Sequence, residues 1–190
     1  MRRARLAAVS AALALALLFA APSSGAADPL AEANAALARD APAQAFAATV
    51  DAAASSADLV QARSLAADAI QRIGQRSVAL QQAGSLEAAR ELLSPVWELF
   101  RDRADSVKLL FEYETDFSKT RYNLYQSLSA LLQSLARRQA GAGNYTAALE
   151  YAEACIALDP NEIDESAWRT KAAIQQSSGA AAAAAETLLE

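Results

Sequence analysis

The stretch GNYTAALEYAEACIALDPN, Gly143–Asn161, decides how this chain is read. It opens on the clearest turn in the sequence, Gly141-Ala142-Gly143-Asn144, and closes on Asp159-Pro160-Asn161. Glycine enters the left-handed backbone that ends a helix at no steric cost. Proline lacks an amide proton and cannot continue one. Between these signals residues 145–158 are predicted as a helix. Upstream, residues 118–140 form a second, with Leu124, Leu128, Leu131/Leu132 and Leu135 at three- and four-residue spacings. Helix, glycine turn and helix make a hairpin.

Composition supports an all-helical chain. Of 190 residues 52 are alanine, with only six glycines and five prolines. There is no histidine, which excludes imidazole-based nucleophile pairs and imidazole metal sites. The single cysteine, Cys155, can form neither an intrachain disulfide nor a redox pair, and a buried core thiol is its expected role. Acids exceed bases by 22 to 17, which disfavours nucleic acid as a partner. No catalytic residues, metal ligands or cofactors are assigned, and the chain is read as a non-enzyme.

Residues 1–27 read as a signal peptide. Arg2, Arg3 and Arg5 form a basic start, residues 6–21 an uncharged apolar run of 16, and Pro22–Ala27 a cleavage region of small residues. The run is shorter than the roughly 20 residues of a membrane span. Cleavage after Ala26 or Ala27 leaves 14 basic against 22 acidic residues, a charge of −8. The expected location is periplasmic or secreted, with no membrane span once the signal is removed.

Two further regions follow. Residues 28–102 are read as divergent helical hairpins. A short helix over 28–40 is capped by Asp28 with Pro29 at its first position. An Ala-rich segment, 43–55, offers Phe46 and Val50 and little else to bury. Residues 58–82 form a long helix with Leu59, Val60, Leu65, Ile70, Ile73, Val78 and Leu80 as its apolar residues. Ser85 caps the next, 85–102, which Pro95 should kink or end. Residues 103–190 are read as the repeat region. Its opening alternates Phe111, Tyr113, Thr115 and Phe117 with acids; a helix to about 114 and a turn at 115–118 are expected. Of the aromatic group Phe111, Tyr113, Phe117, Tyr122 and Tyr125, core packing is favoured over a binding platform. Residues 163–178 and 180–189 form a last pair of helices around Gly179.

The segment Gly143–Asn161 resembles the second half of a tetratricopeptide repeat, a 34-residue helix–turn–helix unit. Gly143, Tyr145, Ala148 and Pro160 take the family's spacing, and Ala152 and Cys155 would be further core positions. In the first helix the matching positions are Leu132, Leu135, Ala136 and Gln139; Leu132 replaces the usual aromatic and Gln139 the usual tyrosine. A second unit places Trp168, Ala172, Gly179 and Ala184. Gly84, Leu86 and Ala89 repeat the spacing a third time, more weakly. Ala136 and Ala148 would let the two helices cross closely. In so Ala-rich a chain the alanines match cheaply; Gly143, Tyr145, Pro160, Trp168 and Gly179 carry the resemblance.

The resemblance implies antiparallel hairpins stacked as a short solenoid, with a groove lined by the first helix of each. Its polar positions would be Gln133, Ser134 and Arg137, then Arg169, Thr170 and Gln176. Two arginines on neighbouring helices could grip a carboxylate or an acidic peptide; the alternative is solvated charges paired with Glu150 or Glu165. The implied function is an exported scaffold or adaptor binding a protein partner in an envelope or secretion assembly. Two other readings stand beside it: a structural protein self-associating through its C-terminal edge, and a helical accessory region of a cell-wall enzyme.

Overall fold

A computed structural model describes residues 28–55, 58–159 and 165–187. The expected signal peptide and Pro160 lie outside them. The described residues form nine helices and no strand: α1 (Pro29–Ala38), α2 (Pro42–Ala54), α3 (Leu59–Gln82), α4 (Leu86–Asp102), α5 (Ala104–Lys108), α6 (Glu114–Gly141), α7 (Tyr145–Ile156), α8 (Glu165–Ser177) and α9 (Ala181–Thr187). The fold is all-α.

Four turns of the same construction organise it. Asp40, Gly84, Gly143 and Gly179 all have positive φ, between 54° and 87°. At each, the next amide reaches back to the preceding helix: Ala41 to the Leu37-preceding carbonyl of Ala36, Ser85 to Leu80, Asn144 to Gln139 and Ala180 to Gln175, each at 2.9 Å. The left-handed residue's own amide donates one residue further on, as Gly84 does to Gln81 at 3.0 Å. This is the paired capping that satisfies the last carbonyls of a helix. It makes hairpins of α1/α2, α3/α4, α6/α7 and α8/α9, whose partners pack together. The N-terminal region thus contains two hairpins with the same turn as the C-terminal ones, although only one of its turns uses glycine. Asp40 tolerates the left-handed backbone better than most residues, and Arg76 donates to its carbonyl at 2.8 Å and its carboxylate at 3.0 Å.

Small side chains sit where the hairpin helices meet. Five residues after each left-handed residue is an alanine: Ala45, Ala89, Ala148 and Ala184, all buried. Seven residues before it stand Ala33, Ser77, Ala136 and Ala172, also buried. Seven alanines thus serve close helix approach.

Several sequence expectations need correcting. α2 buries Phe46 and Val50 as expected but much else besides: it packs on α1, α3, α4 and α5, and Ala45, Ala48, Thr49, Ala52 and Ala53 are buried too. Of its large apolar residues α3 buries only Ile73, with Leu59, Leu65, Ile70 and Leu80 half-buried against the core. Its inner face is Ala62, Ala66, Ala69, Ile73 and Ser77, whereas Val60 and Val78 are 78% and 53% exposed. Pro95 does not end α4; its ring lies exposed inside a continuous helix held by buried Val96, Trp97 and Phe100. Ser85 precedes α4 without a side-chain capping bond. The helix expected to reach 114 stops at Lys108, and α6 starts at Glu114 where a turn was expected, with Glu114 and Asp116 in its favourable first turn.

The core joins three hairpins. Phe100 is 5.6 Å from Phe46, 5.7 Å from Phe117 and 6.1 Å from Phe111, ring centre to ring centre. Those contacts tie α4 to α2, to α6 and to the connection before α6. Phe111, Phe117 and Tyr125 pack in the core as expected, but Tyr113 and Tyr122 are exposed. A smaller cluster of Ala136, Ala148, Ala152 and Ile174 joins α8 to the third hairpin.

Candidate functional site

The longest helix, α6, sits between neighbours: α4 and α7 pack on it, as does α8, the first helix of the next hairpin. Thr120, Asn123, Ser127, Ala130, Ser134 and Arg137 recur along it at alternating spacings of three and four. Such a series follows one helix face. This face is uncharged until Arg137, and three hollows open on it.

Two hollows lie between α6 and α8. One is lined by Ala130, Gln133, Ser134 and Arg137 with Glu165 and Ser166 of α8. The next continues past Arg137 to Arg169, Thr170, Ala173 and Ser177. Arg137 borders both. Its guanidinium donates to the Gln133 side-chain oxygen at 2.9 Å, and no described carboxylate lies within 4 Å.

Five of the six sequence-selected groove residues line these hollows, in different ways. Ser134, Arg137 and Arg169 are exposed. Gln133 is buried and acts as a strut, donating to Ser166 at 2.7 Å across the α6–α8 contact. Thr170 is also buried, its hydroxyl donating to the Ser166 carbonyl at 2.8 Å. Arg169 pairs with Glu165 at 3.1 Å, one turn away and equally exposed, so much of its charge is already met. Gln176 does not line either hollow; it is exposed at the end of α8, and its carbonyl accepts the Gly179 amide. The three-and-four spacing turns it away from Thr170 and Ser177.

The remaining register residues are structural. Leu132, Leu135, Ala136, Ala148 and Ala172 are buried, and Tyr145 is half-buried. Half-buried Trp168 lies under the Lys171 ammonium, 5.6 Å from its ring centre. Cys155 is enclosed, 3.3 Å from the Ser129 hydroxyl.

The third hollow was missed by sequence reasoning. It is a slot of about 270 Å³ between α3 and α6. Buried Leu93, Val96 and Phe100 of α4 form its floor. Ile70, Ile73, Gly74, Ser77, Val78 and Gln81 form one wall, and Thr120, Asn123, Leu124 and Ser127 the other. No lining residue is charged. The sequence offered a mid-helix Gly74 and the uncharged stripe on α6, neither of which sets the separation of α3 and α6.

Among the described residues, no cluster of three or more acidic, cysteine or histidine side chains is placed to hold a metal, and no helix is long and apolar enough to cross a membrane. Comparison with protein-family models, with curated proteins and with solved structures gives no match.

Proposed function

We propose that the protein is an exported helical-repeat scaffold that binds a polypeptide segment along the uncharged face of α6, with Arg137 meeting an acidic group of that segment. The observation carrying this reading is Arg137 itself. It borders two adjoining hollows, is oriented by Gln133, and has no carboxylate among the described residues. A guanidinium held this way is ready for paired hydrogen bonds to a carboxylate.

The tetratricopeptide-like reading is supported by the four equivalent turns and by small residues at matching positions in each hairpin. Export is supported by the basic-then-apolar start of the sequence. The overall negative charge works against long-range attraction of an acidic partner, so recognition has to be local and salt-sensitive.

The test is crosslinking and affinity capture from the cell-envelope fraction, comparing the wild-type protein with Arg137→Ala/Arg169→Ala. Loss of one exposed charge-assisted contact should weaken capture about three- to tenfold. Equal capture by the double variant contradicts this reading.

A further inference from the structure

We infer that the slot between α3 and α6 is a second subsite, taking one uncharged apolar side chain of the same partner segment that meets Arg137. This rests on the scaffold reading above and adds to it the chemistry and spacing of the ligand.

The slot has a fixed apolar floor. Leu93, Val96 and Phe100 belong to the main core and cannot swing out to fill it. Its volume, about 270 Å³, accommodates one side chain of leucine to tryptophan size but not a helix. Its lining carries no charge, so a buried charged group would find no partner there. The rim is suited to a peptide backbone: the Asn123 side-chain amide has no hydrogen-bond partner among the described residues and offers both donor and acceptor.

Continuity along α6 links the slot to Arg137. Asn123 and Ser127 stand fourteen and ten residues before Arg137 on the same stripe, about 15–21 Å along the helix axis. An extended segment covers that distance in about five or six residues. The occupant is therefore an extended peptide with a large aliphatic or aromatic residue placed five or six residues from an Asp or Glu.

The test uses a random dodecapeptide phage library against the protein expressed from the full sequence. A Cβ on Gly74 meets nothing within 4 Å, so Gly74→Leu fills the slot from α3 without disturbing the core. Gly74→Ala is the short-side-chain control. Wild type and Gly74→Ala should select peptides with the paired apolar and acidic positions. Gly74→Leu should lose the apolar preference and weaken wild-type-selected peptides at least tenfold, while Arg137→Ala loses only the acidic preference. An acidic preference without an apolar one overturns the slot and leaves the scaffold reading standing. An apolar preference that survives Gly74→Leu also overturns the slot. Failure of the wild type to select any peptide overturns both. Concentration-dependent dimers abolished by Gly74→Leu would assign the slot to a second copy of the chain and overturn the peptide proposal.

Discussion

The indole Nε1–H of Trp97 donates to the backbone carbonyl of Leu158 at 3.1 Å, joining α4 to the chain just after α7. The residues are 61 apart in sequence. Around this bond the Arg121 guanidinium lies 5.5 Å from the Trp97 ring centre and pairs with the buried carboxylate of Asp159. The second and third hairpins are thus fastened through residues that do not themselves line the slot.

Trp97→Phe keeps most of the ring packing against Tyr125 but leaves the Leu158 carbonyl without this donor. The expected loss is about 1–3 kcal/mol. Urea unfolding measures it, and an unchanged midpoint would mean the bond does not fasten the hairpins.

Ala148 is fully buried where α6 and α7 meet, while Ala154 on the same helix is exposed. Ala148→Leu should overpack the crossing and cost about 1–3 kcal/mol. Ala154→Leu should change stability little. Equal melting shifts for the two would contradict the packing register.

Gly74 and Gly143 should respond to alanine with opposite signs, although neither Cβ would meet a neighbour within 4 Å. Gly74 is helical, so Gly74→Ala should stabilise by roughly 0.5–1 kcal/mol. Gly143 has φ of 79°, so Gly143→Ala should destabilise by about 1–2 kcal/mol. Thermal unfolding of both variants checks the assignment of helix and turn.

Cys155 is 1% exposed. Its thiol should react with a thiol reagent only as fast as the protein opens, and the folded protein should run as a monomer on a non-reducing gel. Rapid labelling in native buffer would contradict its burial.

These sites show what the sequence makes legible and what it hides. Gly84, Gly143 and Gly179 mark their turns because glycine is the common solution to a positive φ. Asp40 marks the same turn invisibly, since aspartate has many other reasons to be there. The α3 core face is illegible by hydrophobicity: close approach to α2 favours Ala62, Ala66 and Ala69 and leaves Val60 outside. Pro95 does not end its helix, because tertiary burial of its neighbours outweighs one missing backbone bond. At the candidate site Arg137 and Arg169 could be named from their register. The slot could not, because it depends on how far α3 and α6 stand apart on the shared floor of α4, and no local pattern encodes that separation.

The proposed role of the α6 face is to receive a partner segment. Its most direct test is site-specific photocrosslinking in cells, with a benzophenone amino acid placed at Ser134 on that face or at Ala154 on the exposed side of α7. Binding along this face should give a discrete crosslinked polypeptide from position 134, lost with Arg137→Ala, and none from position 154. Equal crosslinking from both positions, or none from position 134, would contradict it.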